Sequence, residues 1–120
     1  MQALETLDQF IGSESFHAHP LTKLVYTDGV KYLAETAGAF WLIDIVAGYQ
    51  HRPKVSREAF QLWALKIQPN KKAVVTMQSD SGLPAIVTQR IEYSNFPLEV
   101  IELYCCNNGN GMTLMLPSEY

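Results

Sequence analysis

Apolar residues recur at two different spacings along this chain, and the change between them divides it. Leu4, Leu7, Phe10 and Ile11 fall at helical intervals, and Gly12-Ser13 closes that run. Residues 15–22 show no period, and His19-Pro20 disfavours helix at the histidine. Residues 23–26 read as a short strand. Thr27 and Asp28 then offer side-chain oxygens to the first turn of a helix whose inner face is Val30, Leu33, Ala34 and Ala37, and Gly38 ends or kinks it. Residues 40–50 are apolar nearly all round, which predicts a buried helix. His51-Arg52-Pro53-Lys54 follows, with positive charge at a helix C-terminus where the macrodipole favours it.

Beyond residue 59 the signals become those of strands and turns. Residues 60–67, 73–78, 85–93, 98–106 and 112–116 are β-prone runs rich in Val, Ile, Leu, Tyr and Phe. Gln68-Pro-Asn-Lys, Ser79-Asp-Ser-Gly, Ser94-Asn-Phe-Pro and Asn107-Asn-Gly-Asn-Gly join them. Short connections full of turn formers predict that consecutive strands pair as hairpins. The expectation is a single α+β domain over 1–120: N-terminal helices (1–54) packed on one face of a roughly five-stranded antiparallel meander sheet (55–120). Strand 60–67 is apolar on both parities, with Phe60, Leu62 and Ala64 opposing Trp63, Leu65 and Ile67. A sheet face open to water would alternate, so the second face should be covered by the N-terminal helix or by another subunit.

Composition narrows the partners. The net charge of −3 gives no global attraction to phosphate backbones or anionic lipid. Residues 1–8 lack a basic and apolar leader, and the apolar stretch 37–48 is interrupted by Asp44 and too short for the ~20 residues a membrane helix needs. Cys105 and Cys106 are adjacent, a spacing that disfavours a disulfide between them, so the chain reads as cytoplasmic with reduced thiols.

The stretch Val25-Tyr-Thr-Asp-Gly-Val-Lys-Tyr-Leu-Ala-Glu, followed by Ala37-Gly-Ala-Phe-Trp-Leu-Ile-Asp, resembles the hallmark of an uncharacterised bacterial family of small domains. Phe60-Gln-Leu-Trp and the strand run toward Leu116 are similar to it as well, so the likeness extends over nearly the whole chain. It implies a stand-alone bacterial domain and carries no activity or functional residue with it.

Asp44 stands out among the charged residues, because Trp41, Leu42, Ile43, Ile45 and Val46 surround it and a bare carboxylate is costly to bury. The bland reading pairs it with Lys31, Tyr32, His51 or a backbone donor. The functional reading makes it the anchor of a helix–sheet pocket lined by Tyr32, Trp41 and Trp63. His17-x-His19 puts two imidazoles on one side of an extended segment, but a closed zinc site wants about four ligands and only His51 remains, so no metal site is expected. Cys105-Cys106 shows no neighbouring base to activate a thiol. Arg52, Lys54 and Arg57 form the densest positive run, which as a default is a solvated loop and as an alternative a weak nucleic-acid contact.

No dinucleotide fingerprint, phosphate loop, zinc-protease helix or nucleophile elbow occurs, so no catalytic residue and no cofactor is expected, and the reading leans away from an enzyme. The leading expectation is an accessory protein that works by binding another macromolecule, as a homodimer or with a protein partner. A small-molecule binder or enzyme around Asp44 is the alternative. A membrane partner is not expected.

Overall fold

The computed structural model describes residues 15–107 and 111–120. The apolar run at residues 3–11 lies outside them. Helix α1, Asp28–Ala37, begins where capping chemistry dictates: the Thr27 hydroxyl accepts from the Val30 amide at 3.3 Å. It stops at Gly38, which takes the left-handed conformation (φ 63°). Helix α2, Phe40–Tyr49, follows directly, and a single turn, α3, covers Pro53–Ser56. Leu42, Ile43, Val46 and Ala47 of α2 are buried, while Phe40, Asp44 and Gly48 line an exposed stripe four residues apart. The helix expected to be buried all round therefore keeps one side in water, and Asp44 lies on that side.

Seven strands form one sheet: β1 (Phe16–Ala18), β2 (Val25–Thr27), β3 (Phe60–Ile67), β4 (Ala73–Gln78), β5 (Ala85–Ile91), β6 (Val100–Asn107) and β7 (Met112–Met115), in the spatial order β1-β2-β7-β6-β3-β4-β5. The expected five-stranded antiparallel meander is corrected in three respects. The short strand read at residues 23–26 appears as β2, Val25–Thr27, and it joins the sheet together with β1, which was not expected from the sequence. β2 runs parallel to β7, pairing Val25 with Thr113 and Tyr26 with Leu114. And β5 and β6 do not form a hairpin: β6 returns to the far side of β3, so β3 to β6 lie in the order 4-1-2-3 of a Greek key.

Physical reasons are visible for each. A strand of three residues such as β1 buries too little to show a period, and that β1 and β2 belong to the main sheet is revealed only by their ladders. The eight residues between β5 and β6 must span three strand spacings, roughly 14 Å. Buried Phe96 anchors that crossing, its amide bonded to Ser94 Oγ at 3.2 Å, and the Ser94 amide bonds the Lys71 carbonyl at 2.8 Å. Ser94-Asn-Phe-Pro thus caps the end of the sheet instead of turning a hairpin.

Register sets the inner face. Trp63 faces Leu103 and Met77 across the ladder, Leu65 faces Ile101 and Val75, and Cys105 faces Leu114. These residues join Val30, Leu33, Leu42, Ile43, Val46 and Val55 in one core cluster between sheet and helices. Burying each large side chain contributes about 1.5–3 kcal/mol. On the outer face Leu62, Ala64 and Met115 are also buried, and Phe60, Tyr104 and Tyr120 pack edge to face with centroids 5.0–5.5 Å apart.

The β3–β4 turn carries the one positive-φ non-glycine residue among those described, Lys71 at 69°. Pro69 and Asn70 set the turn, Lys71 donates to the Gln68 carbonyl at 2.9 Å, and the left-handed residue falls after it. Lys71→Gly removes the steric cost of that conformation and is expected to stabilise the protein by roughly 0.5–1 kcal/mol. A lower urea midpoint for the variant refutes the assignment.

Candidate functional site

Between β1 and β2 the chain makes a loop whose polar groups are tied to one another. The His19 amide donates to the Leu24 carbonyl at 2.9 Å, and the Leu24 amide donates to Thr22 Oγ1 at 3.2 Å. The Leu21 amide reaches His19 Nδ1 at 3.2 Å, and Thr22 Oγ1 lies 3.1 Å from the same nitrogen. An amide N–H only donates, so Nδ1 accepts and the ring proton sits on Nε2. Nε2 faces Asp44 Oδ1 at 2.8 Å. The order hydroxyl, imidazole, carboxylate has the connectivity of a nucleophile with its base. Its surroundings are those of a loop brace. Nδ1 already receives a backbone amide, Thr22 Oγ1 accepts another, and Asp44 is 68% exposed where His19 is 7%.

His17 is held in the same way, its Nε2 2.9 Å from Asp28 Oδ1 and its ring tilted against Tyr26. The two histidines thus serve two carboxylates on different helices. Among the described residues no group of three His, Cys, Asp or Glu side chains is arranged to hold a metal ion.

Beyond the loop a buried amide network fixes the end of α2. Gln50 and Gln61 exchange amide bonds at 2.8 and 3.0 Å, Gln61 Nε2 also meets the Val55 carbonyl at 3.0 Å, and Trp63 Nε1 donates to Gln61 Oε1 at 2.9 Å. Between this end of α2, the 20–24 loop and the β6–β7 end of the sheet lies a cleft of about 730 Å³. Leu21, Leu24, Ala47 and Met112 supply apolar walls, and Lys23 and His51 are its basic groups.

The residues singled out from the sequence are dispersed. Asp44 borders a shallow hollow of about 310 Å³ with Tyr49, Arg52 and Gln89. Trp41 lines a different one with Ile91 and Tyr93. Trp63 is in the core against Tyr49, and Tyr32 packs half-buried on the core's edge. Arg52 stacks over Tyr49 at 5.1 Å, Arg57 lies 3.7 Å from Glu58, and Lys54 is exposed on α3. Sequence reasoning missed Thr22, Gln50 and Gln61. A glutamine on the inner parity of an apolar strand was the available signal for the last.

Burial pushes the Cys105 thiol up to about 12, with neighbouring Cys106 adding to the effect, and burial also raises Cys106. Neither is an activated nucleophile. The unfolded thiol ionises near 9.0 while buried Cys105 keeps its proton to about 12, so the unfolded state binds fewer protons in that interval and stability falls as pH rises through it. Cys105→Val is expected to flatten the decline. Urea midpoints for both proteins across that range check this, and identical slopes refute it.

Helices over one face of a mixed sheet, with a ligand-sized cleft beside a braced loop, define a two-layer α+β domain. The chain belongs to the family of unknown function DUF6876, whose model matches residues 1–120. No match was found among curated proteins or among solved structures. Among the described residues no helix is long and apolar enough to cross a membrane.

Proposed function

We propose that this protein is a non-enzymatic accessory protein that acts by macromolecular binding, and that its first partner is a second copy of itself. The observation that carries the reading is β5. It is a seven-residue strand at the sheet's edge, flanked by Leu83 at 47% and Tyr93 at 67% exposure. Natural edge strands are usually blunted by proline, lysine or a short length. Within its seven residues β5 contains no proline and a single basic residue, Arg90; Pro84 and the register shift at Met77/Gln78 fall at its N-terminal end. Antiparallel pairing of two β5 strands would continue the sheet and bring the flanking Leu83 and Tyr93 of each copy toward the other.

Light scattering at micromolar concentration is expected to give twice the chain mass of 13.5 kDa. The exposed pair Leu83→Lys/Tyr93→Lys should give the monomer with its urea midpoint at low protein concentration unchanged. A wild-type protein that stays monomeric throughout overturns the reading.

A further inference from the structure

We infer that the cleft between the 20–24 loop and the end of α2 binds an amphipathic anion, an apolar body carrying one carboxylate or sulfonate. At about 730 Å³ it lies within the roughly 300–1,000 Å³ typical of small-molecule sites. Its walls at Leu24, Ala47 and Met112 are apolar, which selects a hydrophobic body.

Charge selects the head group. The chain carries a net charge of −3, yet among the described residues lining this cleft there is no Asp or Glu, and Lys23 and His51 are there. Among the described residues neither makes an ion pair. Of the uncharged polar side chains there, Thr22 is bonded to His19 and the Leu24 amide, and Gln50 to Gln61 and the Val46 carbonyl, while Ser56 and Asn107 also line the cleft. Lys23 and His51 are the basic groups that an anionic head group entering the cleft would meet. Leu21, 88% exposed, also lines the cleft and offers an apolar side chain to a bound hydrophobic body. The His19–Asp44 brace holds the loop that bears Leu21, Thr22 and Lys23, so the site is formed before the ligand arrives.

Anilinonaphthalene sulfonate, itself an amphipathic anion, is the probe. Its fluorescence should saturate at one site per chain, be reversed by decanoate, and resist decyltrimethylammonium of the same chain length. Lys23→Glu/His51→Glu puts negative charge at two exposed positions outside the core and is expected to weaken binding by about tenfold or more. Leu83→Lys/Tyr93→Lys, at the β5 edge, should bind as wild type. That variant separates this site from the proposed dimer surface. Near-UV circular dichroism is recorded on each variant, because the dye also lights up on loosened cores. Equal displacement by the cation, unchanged affinity in the charge-reversed variant, or loss of binding only in the β5-edge variant would each overturn the inference.

Discussion

Gln61→Leu is expected to destabilise the protein by about 3 kcal/mol, a large share of the ~5–15 kcal/mol that holds a domain of this size together. Gln61 is fully buried on β3, and its amide is the hub of five bonds, one of them to the Glu58 carbonyl at 3.3 Å. Its removal leaves the buried Trp63 indole N–H and the Val55 carbonyl without this partner, and takes both Gln61 bonds from half-buried Gln50, which keeps its bond to the Val46 carbonyl. Each orphaned group costs about 1–3 kcal/mol, which local relaxation partly recovers. The leucine returns some hydrophobic gain, but that gain is smaller than two such penalties. Among the described residues no buried side-chain nitrogen or oxygen lacks a partner, so no existing defect absorbs the change. Urea unfolding should show a lower midpoint at unchanged slope. A loss under about 1 kcal/mol would mean that the network does not hold α2 to the sheet.

Gly29→Ala is expected to cost about 2 kcal/mol, against the usual preference of helices for alanine over glycine by up to ~1 kcal/mol. The reason lies at the other end of the chain. The Glu119 carboxylate sits on the first turn of α1, accepting from the Thr27 hydroxyl at 2.6 Å, the Leu116 amide at 3.0 Å and the Gly29 amide at 3.3 Å. An anion there also suits the helix dipole. A Cβ on residue 29 would stand 2.6 Å from Glu119 Oε1 and 2.7 Å from Leu116 Cδ1. Either the carboxylate leaves its three donors or the C-terminal turn at Pro117–Glu119 lifts from the helix. Glu119→Ala should therefore cost roughly 1–2 kcal/mol alone, and the double variant less than the sum of the singles by about 1 kcal/mol. Additive costs, or a Gly29→Ala protein as stable as the parent, would remove Glu119 as the reason for the glycine.

That pair also separates what was legible from what was not. Thr27 as a cap and Gly38 as a stop were readable, because each acts within four residues of itself. Gly29 inside the first turn looks like a weak point until Glu119, 90 residues on, is placed against it. Asp44 misled for a related reason. Its neighbours in the chain are apolar, but in a helix neighbours in sequence point in different directions, and Asp44 shares its stripe with Phe40 and Gly48. Its partner, His19, lies 25 residues away in a segment with no period.

The chain's local chemistry determined the two long helices, the five long strands, most of their turns and the α+β class. Those depend on periodicity, capping and glycine or proline conformations, all decided over a few residues. Tertiary structure alone decided the Greek-key return of β6, the parallel docking of β2 on β7, the amide hub at Gln61 and the cleft beside the 20–24 loop. Each requires groups on separate elements to meet. A backbone ladder or a buried amide has no sequence signature until its partner is in place, since the same residues satisfied by water would look no different.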